Sequence, residues 1–419
     1  MAAARFNTRF ALILIAAIVV VAGTVGGLAV LRMRADAERH IRAGDELMQE
    51  GKYAEALSEY GRAVSKKPKN VAYLDKMQGA LTSIVPKNQE ETRSLLKTFQ
   101  GIQDTRAAIN PGQGQSYVPL LDFSRARAEA YDNADAWSGL EQHADRMVKA
   151  LEERDLQNSD LLYPRGRLER GAAAVRRTMV PVGSVQLTPE EQAEAVEDLV
   201  AVAEQFPDEA YALLATLAMN EGERARVRGE SETSRKKFAE SDEYLRKGLA
   251  ATGGKGPRLL TAKLLRLYGM GNSAPITEIS QTADALINAV RTTEDANILL
   301  AAQRVAGPVA MLVDSATGKR VGGEMIGIMK SYTERHPENL MVRSRYAEVL
   351  QENGDPEGAI VEGMAVIEYP QLPFSIDAAI QRDRQGYACA VVLESLMRRY
   401  AELVEGQEST PESQAKAAE

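Results

Sequence analysis

Residues 37–70 read AERHIRAGDELMQEGKYAEALSEYGRAVSKKPKN, a stretch of two predicted helices joined at a glycine. Apolar residues of the second helix recur at the i, i+3, i+4, i+7 spacing that places them on one face, namely Tyr53, Ala56, Leu57, Tyr60, Ala63 and Val64. Pro68 lacks an amide hydrogen and disfavours helix at Lys67, so we expect the second helix to stop there. A single pair of this kind cannot bury its apolar face and needs stacked neighbours.

The same stretch is 34 residues long, which is the period of the tetratricopeptide repeat (TPR). Gly44 takes the small-residue position of the first helix, where a neighbouring helix crosses closely. Gly51 marks the turn, and Ala56 begins the packing face of the second helix. Residues 37–70 therefore resemble a TPR unit, and the resemblance implies a stack of helix pairs.

A second unit of this kind covers residues 340–370, where Ala347, Gly354 and Ala359 take comparable small-residue and turn positions. It departs from the TPR pattern at Pro356, where an aromatic residue is usual, and at Gly363, which replaces a large residue. A weaker echo covers residues 191–218. We therefore predict an all-α fold, with an irregular TPR-like α-solenoid over 37–404 and a disordered acidic tail at 405–419.

Between these units the period is blurred, but helical patterns recur. They cover residues near 119–153, 159–177, 230–250, 257–269, 276–306, 320–335 and 384–404. Residues 308–323 fit either a strand–turn–strand or a helix end followed by a loop. We expect the helix end and loop, because a lone hairpin is only marginally stable in water.

An uncharged run, FALILIAAIVVVAGTVGGLAVL at residues 10–31, lies between Arg9 and Arg32. At 1.5 Å rise per residue this run reaches roughly 33 Å, which matches a hydrocarbon core of about 30 Å. We predict one transmembrane helix at 10–31 after a short N-terminal tail at 1–9. A cleaved signal peptide is the alternative, but its apolar region would be shorter, at about 7–15 residues.

The orientation of this predicted span depends on two opposing arguments. The count of basic residues favours a cytoplasmic C-terminal side, whereas long domains are translocated largely regardless of charge. We predict a single-pass protein of the inner (cytoplasmic) membrane of a bacterial-type cell, with the region after the span exported. Gly23 and Gly27 form a G-x-x-x-G pair that would allow self-association, although ordinary use of small residues explains the pair as well.

Charge and composition argue against some classes of protein. The chain carries 51 basic and 59 acidic residues, a formal net charge of -8, whereas a nucleic-acid-binding protein needs a basic surface. Aromatic residues make up only 5% of the sequence, and strong helix formers are abundant. Cys389 is the only cysteine, so no disulfide can form within the chain.

Motifs for catalysis, metal binding or cofactor binding do not stand out. His40, His143 and His336 are scattered and lack a metal-ligand spacing such as H-E-x-x-H. Trp137 is the only tryptophan, and its helical context is more typical of a core residue than of an exposed anchor for a partner. We therefore expect no enzyme activity, no metal and no cofactor.

The resemblance to TPR proteins implies a groove that is lined by the first helix of each pair and binds peptides or proteins. The residues expected to face this groove are Glu38, Ile41, Asp45 and Gln49 in the first unit and Met341, Ser344, Glu348 and Gln351 in the later one. Ile41 and Asp45 stand where members that capture a chaperone tail have Lys and Asn, which argues against that activity. An acidic, partly apolar groove suits a basic or amphipathic segment.

These observations predict a membrane-tethered, non-catalytic scaffold that binds a protein or peptide partner through a TPR-like groove. One alternative is an enzyme, or a subunit associated with an enzyme, with its site in the degenerate middle at about 100–330. Another alternative is a structural component of the cell envelope. The identity of the partner is left open by the sequence.

Overall fold

The computed structural model describes residues 36–180 and 183–408, and every regular element among them is helical. The first helix, α1, covers residues 36–49 of the described chain. The others are α2 (Tyr53–Lys66), α3 (Val71–Ser83), α4 (Gln89–Ile109), α5 (Val118–Tyr131), α6 (Ala134–Glu152), α7 (Tyr163–Arg177), α8 (Pro189–Val202), α9 (Pro207–Val227), α10 (Ser231–Ala251), α11 (Pro257–Gly269), α12 (Ile276–Val290), α13 (Ala296–Ala310), α14 (Ser315–Arg335), α15 (Leu340–Glu352), α16 (Pro356–Ile367) and α17 (Ile376–Glu408). The predicted all-α fold is confirmed.

The predicted localisation as a single-pass membrane protein needs correction. In the part of the chain that the structure describes, no helix combines the length and the apolar character that crossing a membrane requires. The helices there bury one face and expose a charged one; α6, for example, buries Leu140 and Met147 and carries Asp145 and Lys149. The predicted span at 10–31, the tail at 1–9 and the Gly23/Gly27 pair lie outside the described residues.

The C-terminal helix extends further than the sequence indicates. α17 runs to Glu408, so the first four residues of the tail predicted at 405–419 are helical. Residues 409–419 lie outside the described part of the chain.

The described residues form two compact units. Unit 1 holds residues 36–110 together with Pro373–Ser375, and unit 2 holds residues 111–372 and 376–408 apart from the undescribed pair 181–182. The sequence pattern predicts a single solenoid over 37–404 and contains no sign of this division.

Unit 1 is built from α1 to α4 around a small core. Its buried apolar residues are Ala37, Ile41, Ala56, Tyr60, Ala63, Tyr73 and Ala80. A Cβ atom at Gly44 would lie 2.5 Å from Cε1 of Tyr60, so only glycine lets the aromatic ring pack against α1. Phe374 also belongs to this unit, where its amide donates to the carbonyl of Ile84 (2.6 Å) and its side chain is buried.

Unit 2 consists of consecutive helices that pack along one another in pairs, α5 with α6, α7 with α8, and so on to α15 with α16. Helices this long, joined by short connections and packed side by side, run antiparallel. The first helices of these pairs, together with α17, form a row that we call the inner row: α5, α7, α9, α11, α13, α15 and α17. From α7 to α17, each member of the inner row contacts the next.

The core of unit 2 follows from helical periodicity. In α12, Ile279, Ala283, Leu286 and Val290 lie on one stripe and are all buried. They join a cluster that includes Leu264 of α11 and continues through α13 to α16. Each fully buried leucine or isoleucine contributes about 1.5–3 kcal/mol relative to an exposed one, so this stripe fixes the face that α12 presents to its neighbours.

Residues 308–323 are more regular than expected. α13 continues through Pro308 to Ala310, α14 begins at Ser315, and only the four residues between them form a connection. Asp314 caps α14, because its side chain accepts hydrogen bonds from the amide (2.7 Å) and the hydroxyl (2.9 Å) of Thr317. The predicted loop is therefore mostly helix, and the signal that was missed is the Asp-Ser-Ala-Thr capping sequence.

Candidate functional site

The groove residues predicted in unit 1 are largely engaged within the unit itself. Ile41 is 6% exposed and belongs to the core, because the α1 stripe that carries it packs against α2 and α3. Glu38 accepts from the hydroxyl of Tyr73 and pairs with Lys67, and Asp45 accepts from the hydroxyl of Tyr60. Gln49 is exposed. The position of Ile41 corrects its expected place on the groove.

Three of the four groove residues predicted in unit 2 lie together. Met341, Ser344 and Glu348 of α15 line one wall of a partly enclosed cavity, which we call the inner cavity. Gln351 does not reach it, since this side chain is 6% exposed and accepts a hydrogen bond from Ser395 of α17 (3.2 Å).

The inner cavity has a volume of about 620 Å³. Its walls come from helices of the inner row, namely α5, α7, α11, α13, α15 and α17, and from Trp137 of α6. This volume lies in the range typical of sites that bind a small ligand or a short segment of chain. Most of the cavity falls within residues 100–330, the degenerate middle in which the alternative reading of the sequence places a site.

The inner cavity is closed by contacts between distant parts of unit 2. α17 packs against α5, so the row of first helices returns to its beginning. The side-chain amide of Asn297 on α13 also donates to Glu129 on α5 (2.7 Å), across 168 positions of sequence. These contacts convert what would be an open concave face into a cavity with walls on several sides.

One wall contains a buried ion cluster centred on Arg125 of α5. Its guanidinium donates to Glu129 of the same helix (2.6 Å), to Glu169 of α7 (2.8 Å) and to Glu209 of α9. Burial opposes the charge of Arg125, but the three carboxylates outweigh it and raise its pKa. Burial raises the pKa of Glu169, which Arg125 only partly offsets, whereas at Glu209 the neighbouring arginines outweigh burial and lower the pKa. The cluster ties three helices of the inner row together.

Two further arginines of the cavity wall are also paired with carboxylates. Arg258 of α11 contacts Asp295 (3.0 Å), the residue that caps α13. Arg345 of α15 contacts Glu348 and Glu352 in its own helix, the latter at 3.2 Å. Arg258 therefore joins α11 to the start of α13, whereas the ion pairs of Arg345 stay within α15.

Trp137 lies where α5 turns into α6, and a strained residue positions it. Asp132 ends α5 with a φ of 39°, in the left-handed region that Asp tolerates better than most residues. In this conformation its carboxylate accepts from the indole nitrogen of Trp137 (3.0 Å). The guanidinium of Arg176, on α7, lies over the indole ring at 5.9 Å from the centroid. The predicted core position is correct, because Trp137 is only 3% exposed, although its edge borders the cavity.

Two arginines of the cavity wall have no carboxylate partner among the described residues, Arg176 of α7 and Arg304 of α13. Burial and the nearby guanidinium of Arg125 lower the pKa of Arg176. Arginine nevertheless remains protonated in proteins, so the cavity contains a positive charge that the nearby Glu209 and Asp132 offset only in part.

The three histidines are far apart and each has its own neighbour. His40 contacts Glu59 (2.6 Å), His143 contacts Ser124 (2.7 Å) and His336 contacts Glu294 (2.5 Å). Over residues 36–180 and 183–408 no group of three or more potential metal ligands is close enough to hold an ion.

No protein-family model matches the chain. DnaJ homolog subfamily C member 3 from Gallus gallus is 25% identical over 126 residues, which cover 28% of this chain and 25% of that protein. The present chain thus matches about a quarter of the length of this relative. The paired helices of both units, not this partial match, support one conclusion. The chain has a TPR-like arrangement of paired helices.

The solved structures that match include yeast Tom70, at 11% identity and a TM-score of 0.28 over 89% of this chain and 99% of that one. The TPR domain of P58(IPK) has 14% identity and a TM-score of 0.19 over 86% of this chain and 99% of that one. Likenesses at these scores carry no information about function.

The arginines of the inner cavity were not predicted from the sequence. Arg125, Arg176 and Arg304 lie on three different helices, and no local motif distinguishes them from the many surface arginines of the chain. The closing contact between Asn297 and Glu129 is equally invisible, because it joins residues 168 positions apart.

Proposed function

We propose that this TPR-like protein is a scaffold or adaptor that holds a segment of a partner protein in the inner cavity of unit 2. The observation that carries the proposal is the closed inner row, whose helices surround a cavity of about 620 Å³. Proteins of this architecture use such concave surfaces to bind other chains.

The composition of the cavity wall supports a peptide as the occupant. Apolar surface from Ile298 and Met341 lies beside polar and charged groups from Ser344 and Arg304. A segment of protein offers the same alternation of apolar and polar side chains along a short length. Unit 2 supplies the site on rigid helices, which hold the contacting groups in place without a large ordering cost on binding.

A selection from a random peptide library tests this proposal. The library is displayed on phage, without bias in charge, and selected against the purified full-length chain. Enriched peptides are then synthesised with a fluorescent label, and their dissociation constants are measured by anisotropy. Ala301 of α13 lines the cavity and is exposed, so Ala301→Phe should fill part of the space and weaken binding at least tenfold.

The matched control is Ala201→Phe, at an exposed alanine of α8 that does not line the cavity. It adds the same ring to unit 2 and should leave the dissociation constants unchanged. Failure to enrich any peptide, or equal binding by the chain and its Ala301→Phe variant, would contradict the proposed function.

A further inference from the structure

Arginine dominates the ionic groups that line the inner cavity. Five arginines line it, Arg125, Arg176, Arg258, Arg304 and Arg345, against three acidic residues, Glu129, Asp132 and Glu348. The whole chain has a net charge of -8, so the cavity differs in sign from the rest of the molecule. This local excess contrasts with the acidic groove that the sequence pattern predicts.

These arginines fall into two groups, those whose charge is paired with a carboxylate of the protein and those whose charge is available to bind a ligand. Arg125, Arg258 and Arg345 each have carboxylates within ion-pair distance. Arg125 and Arg258 join different helices, whereas Arg345 pairs within α15. Among the described residues, Arg176 lies over the ring of Trp137 without an ion pair, and Arg304 is exposed to the cavity without an acidic partner. Two guanidinium groups on different helices of the inner row are therefore open to an anion.

The physical chemistry of Arg176 favours a carboxylate ligand. Its low-dielectric position strengthens any hydrogen bond to an anion, because fewer waters compete for the guanidinium. The planar fork of arginine matches the two oxygens of a carboxylate, and such charge-assisted bonds are about twice as strong as neutral ones. Burial and the nearby guanidinium of Arg125 lower the pKa of Arg176, and the carboxylates of Glu209 and Asp132 only partly oppose this.

We propose that the segment bound in the inner cavity is acidic, with side-chain carboxylates of Asp or Glu paired to Arg176 and Arg304 and apolar side chains against Ile298 and Met341. This inference rests on the proposed function and specifies the chemistry of the partner. The segment is recognised through its side chains, so a free C-terminal carboxylate is not required.

The first test is the composition of the library peptides that Ala301→Phe prevents from binding. Aspartate and glutamate should be enriched in them over the starting library, and lysine and arginine depleted. Absence of acidic enrichment in peptides that Ala301→Phe blocks would overturn the acidic-segment inference and leave the proposed function intact. A library in which Ala301→Phe blocks no peptide would contradict the proposed function itself.

The second test uses one selected peptide, acetylated and amidated, in versions that carry Glu, Gln or Lys at its acidic positions. The Glu version should bind the full-length chain at least tenfold more tightly than the Gln version, and the Lys version should bind least. Arg304→Gln and Arg176→Gln should each weaken the Glu version by about tenfold, the loss of one charge-assisted pair. Arg304 is exposed, so its variant tests the inference even if Arg176→Gln fails to fold.

Charge reversal distinguishes direct pairing from a structural effect. Arg304→Glu should weaken the Glu peptide and improve binding of the Lys peptide, which a merely structural role would not produce. Arg246→Gln on α10, where an exposed arginine pairs with Glu243 outside the cavity (2.7 Å), is the matched control and should bind as the unchanged chain does. Equal binding of the Glu and Gln peptides, or unchanged affinity in Arg304→Gln, would overturn the inference.

Discussion

Single residues with little chemistry of their own determine how closely the helices of this protein approach. Gly44 is the clearest case, because the ring of Tyr60 occupies the space that any Cβ at this position would need. The hydroxyl of Tyr60 then donates to Asp45 (2.7 Å), one residue further along α1. The TPR-like pattern of residues 37–70 allows the small residue at Gly44 to be predicted. The hydrogen bond between Tyr60 and Asp45, which forms because Gly44 has no side chain, is visible only in the structure.

Gly44→Ala should therefore destabilise unit 1, although alanine ordinarily favours a helix. A Cβ at 2.5 Å from the ring must displace Tyr60 or α1, and such overpacking costs about 1–3 kcal/mol. The free energy of unfolding in urea measures the effect. Gly79→Ala on α3 is the matched control, since nothing lies within 4 Å of its added methyl group, and it should stabilise the unit or leave it unchanged. Equal effects of the two substitutions would contradict this account.

Arg125 illustrates a second kind of residue, one whose role depends entirely on distant partners. Its three carboxylates come from α5, α7 and α9, up to 84 positions away in the sequence. Sequence reasoning could not select it, because a buried arginine and a surface arginine look the same in a helical pattern.

Replacing Arg125 with methionine should cost about 3–5 kcal/mol, as expected when one partner of a buried ion cluster is removed. Without the guanidinium, the folded-state pKa values of Glu169 and Glu209 should rise, because the strongest opposing charge is removed and burial is then countered only by the remaining arginines nearby. A group whose pKa is raised on folding stabilises the folded state at low pH and loses that contribution as the pH rises. The loss caused by Arg125→Met should thus be smaller at pH 5 than at pH 8.

Urea unfolding at the two pH values measures this difference. Arg246→Met is the control, since it removes the same side chain from an exposed pair with Glu243 and should change stability little at either pH. A pH-independent loss in Arg125→Met would show that the carboxylates are not coupled to the guanidinium as described.

At the scale of elements, the boundaries of helices were predictable wherever capping and proline chemistry is local. α11 covers Pro257–Gly269, the range that the sequence indicates, because Pro257 begins it and a Met-Gly-Asn-Ser turn follows. The patterns at 119–153 and 276–306 each proved to be two helices. Their divisions fall at Asn133 and Asp295, which accept amide hydrogen bonds at the starts of α6 and α13.

The pairing of α5 with α13 and α17 is a property of elements that no local pattern predicts. Asn297→Asp should weaken it, because the new carboxylate would face Glu129 at the present hydrogen-bond distance of 2.7 Å. The expected loss is about 1–3 kcal/mol in unit 2. Hydrogen exchange should accelerate at the amides of α5 and α17 in particular.

The same substitution at Asn220, on α9, is the matched control. It introduces the same charge into the inner row at a residue that does not line the inner cavity, and it should leave exchange in α5 and α17 unchanged. If Asn297→Asp accelerated hydrogen exchange equally in all helices, the contact between Asn297 and Glu129 would not be what holds α5 and α17 in place.

At the scale of the whole molecule, periodicity and composition were sufficient to predict the fold class. They were not sufficient to predict how the helices are arranged. The all-α, TPR-like character follows from the pattern at 37–70 and its later echoes, because each helix face is encoded by neighbouring residues. The division into two units and the closed inner row depend on contacts between residues far apart in sequence. The arginines of the inner cavity were not predictable for this reason, because they converge only in three dimensions.

The central claim is that the inner cavity of unit 2 binds the partner segment, and Trp137 can test it directly. It is the only tryptophan of the chain and borders the cavity beneath Arg176. A selected acidic peptide without tryptophan is titrated into the full-length chain while the indole emission is recorded. The account predicts a saturable change in emission with the dissociation constant found by anisotropy, and its loss in Ala301→Phe. Binding seen by anisotropy with no change in the emission of Trp137 would contradict the claim.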